Sequence, residues 1–129
     1  MTHPNVQVVR NGFAAFAAQD MDTLRGLFAP DAVWHAPGRN QLSGVFKGVD
    51  EILGLFGRTL ELSDGTFAVD VHAVVGDDEH VFAAYGVTAK RGGKSLRDSA
   101  VLVFHVRDGK VTEAWGTTGD QHLVDDFWS

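Results

Sequence analysis

Two aspartates and one histidine are the side chains whose placement could move a proton. Asp98, in "KSLRDSAVLVFHV", alternates in step with Ala100, Leu102 and Phe104, the apolar row of a predicted strand. Asp120, in "TTGDQ", follows the last predicted strand, where the chain turns across the open end of the sheet. A carboxyl group shielded by aromatic side chains holds its proton more tightly than one in water, and can exchange it near neutral pH. His72, in "TFAVDVHAVV", is the third candidate for acid/base work. It alternates with Phe67, Val69 and Val71, which puts it on the outer face unless a bulge reverses the register.

Other chemistries lack their residues. The chain has no cysteine, which removes thiol nucleophiles, zinc–thiolate sites and iron–sulfur clusters. No pair of histidines has metal-ligand spacing, so neither a metal nor another cofactor is expected. His80 falls in a turn, His105 on an outward parity, and His3 and His122 near the termini. "KRGGKS" fails as a phosphate-binding loop, because Thr88 stands where its first glycine belongs and a strand follows instead of a helix. There is no nucleophile elbow or dinucleotide fingerprint.

A proton carrier needs an apolar enclosure, and aromatic residues supply candidates for one. In "DAVWHAPG" the alternation turns Ala32, Trp34 and Ala36 inward and His35 outward. Trp34 can stack on a flat ring compound. Tyr85 lies mid-strand, and its hydroxyl needs a partner if buried, so it is either a ligand contact or an interface residue. Phe16 on the first helix, with Leu102, Phe104, Gly116 and Thr118 on the last two strands, completes the expected ligand-binding lining. Ala114, Gly116 and Thr118 are small and leave space. Trp115 then faces outward, where it suits a homodimer formed through the outer sheet face.

The elements that must position these residues follow from hydrophobic periodicity. Val6, Val9, Phe13 and Phe16 recur three or four apart, marking a helix with Thr2 as its expected N-cap and Pro4 in its first turn. Asp20 caps a shorter helix that presents Leu24, Leu27 and Phe28, and Pro30 ends it. Gly48 and Asp50 open a third helix carrying Ile52, Leu53, Leu55, Phe56 and Leu60. From Gly65 the period changes to two, and four strands follow, joined by "GDDE", "RGG" and "RDG". The apolar face of this antiparallel meander must be covered by the helices. The expected fold is α+β: a single domain over residues 1–129, a cone-shaped two-layer structure whose curved, mostly antiparallel sheet wraps around the N-terminal helices. The tail "GDQHLVDDFWS" ends in two aromatics that dock back.

This order, carried by "QDMDTLRGLFAPDAVW", "PGRNQLSGVFKGVDEI", "RDGKVTEAW" and "DQHLVDDFW", resembles the nuclear transport factor 2-like superfamily. Within it the nearest likeness is to the SnoaL-like polyketide cyclases and ketosteroid isomerases. In those isomerases a general-base aspartate precedes the proline of the turn, and here Ala36 stands in that slot. Their oxyanion-stabilising tyrosine would fall at or beside Gly12, and their protonated aspartate near Leu102, so ketosteroid isomerase activity is not expected. The aspartate that the cyclases project from their last strand aligns with Gly116, and a shift of a few residues moves that role to Asp120. Scytalone dehydratase, a distant relative, uses a histidine from a strand comparable to that of His72. The resemblance implies a cofactor-independent acid/base enzyme (cyclase, isomerase or dehydratase type) on an apolar ring-bearing metabolite. The alternative is a ligand-binding or dimerisation module with no chemistry.

Composition agrees with a small-molecule protein. The 129 residues are 44% hydrophobic, enough for one core, and carry a net charge of −6 with no basic run beyond the "KRGGK" hairpin. Nucleic-acid binding, which needs a cationic face, is not expected. Neither is a membrane span or a secretory leader, and the expected compartment is the cytoplasm.

Overall fold

The computed structural model describes residues 3–129. Thr2, the expected N-cap, lies outside them, and the cap of α1 (Pro4–Ala17) is His3, whose Nδ1 accepts the Asn5 amide at 3.1 Å. Asp20 caps α2 (Met21–Leu27) as its sequence predicts, accepting the Thr23 amide and hydroxyl. The chain passes from Leu27 directly into β1 (Phe28–Ala36), so Pro30 lies inside a strand rather than just beyond a helix end. A four-residue strand, β2 (Gly44–Lys47), precedes α3 (Val49–Leu62) and was not legible in the sequence. Then come β3 (Ala68–Gly76), β4 (His80–Arg91), β5 (Lys94–Arg107) and β6 (Lys110–Thr118). The tail forms a seven-residue helix, α4 (Gln121–Phe127), and docks back as expected, with Phe127 and Trp128 both buried.

The six strands form one sheet in the order β2-β1-β6-β5-β4-β3. Neighbours are antiparallel except β1 and β6, which run parallel across the closure between the two halves of the chain. Residues 92–93 and 108–109 make the tight hairpins that the sequence predicts, all four with positive φ. Helices α1, α2 and α3 cover the inner face. Val6, Val9, Leu24 and Ile52 pack there against Ala32, Val81, Leu102 and Phe104. A bulge in β3 makes His72 the extra residue, with Val71 opposite Tyr85 and Ala73 opposite Ala84. Alternation therefore restarts after it, and Val74 is buried while Val75 is 62% exposed.

Candidate functional site

The inner sheet face and the helices enclose a hollow of about 220 Å³. Two apolar clusters bound it, one around Val6, Ile52 and Val81, the other around Leu96, Val124 and Trp128. Trp34, Phe56 and Tyr85 pack against both, so they sit where the hollow runs between the clusters. The Trp34 ring centre is 5.1 Å from that of Phe56 and 6.0 Å from that of Phe104, both edge-on. It stands in register with Ala114, whose methyl leaves room for it.

Polar groups on this wall are few, and most are already engaged. The Thr59 hydroxyl donates to the Leu55 carbonyl, and the Thr118 hydroxyl to Gln121 Oε1. Asn40 donates to Asp125 and accepts from the Leu42 amide. Two groups remain available. The Tyr85 hydroxyl has no hydrogen-bond partner among the described residues, although Phe13, 5.6 Å away, and the sheet surround it. The surface that Tyr85 keeps belongs to the hollow. Burial, and after it the charge of Asp98, push the Tyr85 phenol far above its ordinary pKa, so it stays a neutral donor.

Asp98 is the carboxylate of the hollow. It lies opposite Val87, and Tyr85 opposite Ala100, so the two face inward on a cross-strand diagonal. Side chains on such a diagonal start about 7–8 Å apart, close enough to hold one small ligand group between them. One oxygen of Asp98 accepts the Asp120 amide at 3.2 Å and the other the Gly119 amide at 3.3 Å. Gly119 permits this approach: a Cβ there would lie 3.0 Å from both Asp98 Oδ1 and the Ser99 carbonyl oxygen. Each oxygen keeps acceptor capacity for a ligand.

Most of the expected lining meets in one place. Phe16, Trp34, Tyr85, Leu102, Phe104 and Thr118 all line the hollow, with Asp98 among them. Three expected residues do not. Asp120 is exposed and accepts the Leu123 amide as the N-cap of α4, so it is a helix cap rather than a cavity acid. His72 faces outward at the β3 bulge, its side chain 55% exposed and 3.5 Å from Asp70. Gly116 leaves no free space, because Pro37 fills it: a Cβ there would lie 3.1 Å from Pro37 Cδ. Phe13, Phe28, Phe56 and Phe67 also line the hollow. Helical or alternating spacing marks all four as buried, but spacing does not distinguish a residue beside a void from one in solid core.

A strap closes one end. Asp125 on α4 accepts the Arg39 amide at 3.0 Å, Asn40 Nδ2 at 2.8 Å and Gln121 Nε2 at 2.9 Å. These bonds, the Arg39 amide foremost, hold its carboxyl below the usual range. Gly38, at φ +93°, lets the 37–43 turn lie against Gln121 and Asp125. Arg91 and Lys94 donate to carbonyls at the end of α4, where cations favour the helix dipole.

Outside the cone, His35 points away from the hollow, donating to Glu113 at 2.6 Å and stacking on Trp115. The parity predicted for Trp34, His35, Asp98 and Trp115 is the parity observed.

Residues 9–114 match the family model of the SnoaL-like domain. The chain belongs to the SnoaL-like family. A Mycobacterium tuberculosis protein, named as uncharacterized protein Rv0034, is 35% identical to this SnoaL-like chain, over 97% of it and 96% of the relative. The structure of a protein from a soil-derived mobile gene cassette superposes with a TM-score of 0.95 at 38% identity, covering 98% and 97% of the two chains. IdmH, named as a putative polyketide cyclase from Streptomyces antibioticus, shares the fold with a TM-score of 0.78 at 21% identity, over 95% and 96%. Among the described residues of this SnoaL-like domain, no cluster of side chains could hold a metal ion, and no helix is long and apolar enough to cross a membrane.

Proposed function

We propose that this SnoaL-like domain is a cofactor-independent acid/base enzyme acting on an apolar, ring-bearing metabolite, of the cyclase, isomerase or dehydratase kind. The observation that carries the reading is the inward diagonal of Asp98 and Tyr85 in an otherwise apolar hollow. In the proposed step, Asp98 removes a proton from a carbon beside a ring carbonyl. The C–H electron pair moves into the enolate, whose oxygen receives a hydrogen bond from the Tyr85 hydroxyl. The protonated Asp98 then returns the proton to a different carbon of a conjugated enolate, which isomerises the ring system. Alternatively, the enolate carbon adds to a second carbonyl, breaking its C=O π bond and closing a ring, and the resulting alkoxide takes the proton from Asp98. Trp34 and Phe104 hold the ring system by edge and face contacts. The fold shared with a putative polyketide cyclase agrees with this class of substrate. The exposed Val45, Val75, Phe82 and Val101 support association of two copies through the outer face.

One observation favours the alternative, a binding module without chemistry: both Asp98 oxygens already anchor the corner that leads into α4. Chromatography of mixtures of polycyclic aromatics, sterols and small terpenoids incubated with the protein separates the two readings. The enzyme reading predicts a product whose rate falls at least ~100-fold in Asp98→Asn, the scale of general-base catalysis, while binding persists. Saturable binding with every compound unchanged supports the module, and turnover unaffected in Asp98→Asn removes Asp98 as the proton carrier.

A further inference from the structure

A second depression adjoins the hollow. It is a groove of about 410 Å³ between α1, the end of α3 and the inner face of β3, the strand at the sheet edge. Phe13, Phe16, Phe67 and Val69 line both spaces, so the two adjoin along these residues. Phe16 and Phe67 meet edge-to-face at this boundary, with centres 5.9 Å apart. The groove is otherwise walled by Ala14, Ala17, Leu60, Ala68 and Val71. Its polar residues are two, Arg10 and Gln19, both exposed, and its lining contains no carboxylate. Among the described residues Arg10 is in no ion pair, in a chain where acidic residues outnumber basic ones by 17 to 11. A guanidinium that pairs with nothing at the mouth of an apolar passage is complementary to an anionic group carried on an apolar body.

We propose that the groove is the entrance to the hollow and that Arg10 selects ring compounds bearing an anionic group. The ring system passes the Phe16–Phe67 contact into the cone, and the anionic group stays at the rim on Arg10. This inference rests on the reading of the hollow as a ligand site and narrows its substrate class to acids. Arg10 is a specificity-determining residue that lines the groove and not the hollow of Asp98, so the ligand's charge and its reacting carbon sit in different spaces.

The test uses two fluorescent probes with the same rings, 8-anilinonaphthalene-1-sulfonate and the uncharged N-phenyl-1-naphthylamine, titrated against the full chain. The parent is expected to favour the sulfonate about fivefold, the scale of one charge pair near a protein surface, and to lose that preference in 0.5 M salt. Arg10→Gln is expected to bring the ratio to about one, Arg10→Lys to retain part of it, and Arg10→Glu to invert it. Leu102→Trp, which fills the hollow, should weaken both probes and so place them in the cone. Neutral binding without a preference in the parent, or a preference that survives Arg10→Gln, overturns the inference and leaves the hollow a ligand site. Neither probe binding, or both binding undiminished in Leu102→Trp, overturns the inference together with the reading of the hollow.

Discussion

The two faces of the sheet carry similar side chains to opposite effect. The outer face has the histidines: His35 stacks on Trp115 and bonds Glu113, His105 lies edge-on to the same tryptophan, and His80 packs against His105. The inner face has no histidine, one carboxylate and one phenol. Yet the outer groups His35 and Glu113 satisfy each other, whereas on the inner face the Tyr85 hydroxyl is unpartnered and faces a hollow. On the proposed reading, readiness for chemistry follows polar atoms facing a hollow, whereas a count of titratable residues points to the other face.

The sharpest way to break this contrast is to remove one tryptophan from each face. Trp34 contacts Phe28, Phe56 and Phe104, so Trp34→Ala is expected to cost about 3 kcal/mol in denaturant unfolding. Trp115→Ala, on the outer face, should cost about 1 kcal/mol or less. Equal losses would mean that Trp115 is as deeply packed as Trp34 and that the faces do not differ.

Alkaline titration sharpens the same point. Tyr85 is the only tyrosine in the chain, so phenolate absorbance reports it alone. Burial first and the Asp98 charge second raise its pKa. The native state therefore holds a proton that the unfolded chain releases near pH 10, by the ordinary value for tyrosine. Its stabilising contribution is complete below about pH 10 and is lost as pH climbs toward the folded value. Phenolate is expected to appear only together with unfolding. Phenolate forming near pH 10 in a folded protein would contradict the enclosure of Tyr85.

The smallest expected effect separates the two aspartates at the corner that leads into α4. Asp120→Ala removes a helix cap and should cost about 1 kcal/mol with ligand binding unchanged. Gly119→Ala adds a methyl 3.0 Å from Asp98 Oδ1 and should weaken binding or turnover without uncapping α4. A larger functional loss from Asp120→Ala than from Gly119→Ala would return Asp120 to the site.

Local patterns made much of this legible. Alternation along β1 and β5 places Trp34 and Asp98 inside and His35 outside, because a strand's two faces follow from residue parity alone. Parity held less far in β3, where the bulge at His72 restarts it, and no side chain in that stretch announces a bulge. The seven-residue α4 is too short for a periodic signal, so Asp120 read as an acid beyond a strand although it is the residue opening a helix. Gly116 looked like free space because a strand's pattern does not say what packs above a small residue, and Pro37 comes from another part of the chain. The strap from Asp125 to Arg39 and Asn40 spans more than 80 residues, beyond any local reading.

The most direct test of the central claim, that the inner face takes the ligand, is fluorescence quenching in two single variants. Any ring compound that quenches the parent saturably should keep its quenching in Trp115→Phe and lose part of it in Trp34→Phe, the remainder coming from Trp128, which also lines the hollow. Quenching undiminished in Trp34→Phe and lost in Trp115→Phe would place the ligand on the outer face and contradict the account.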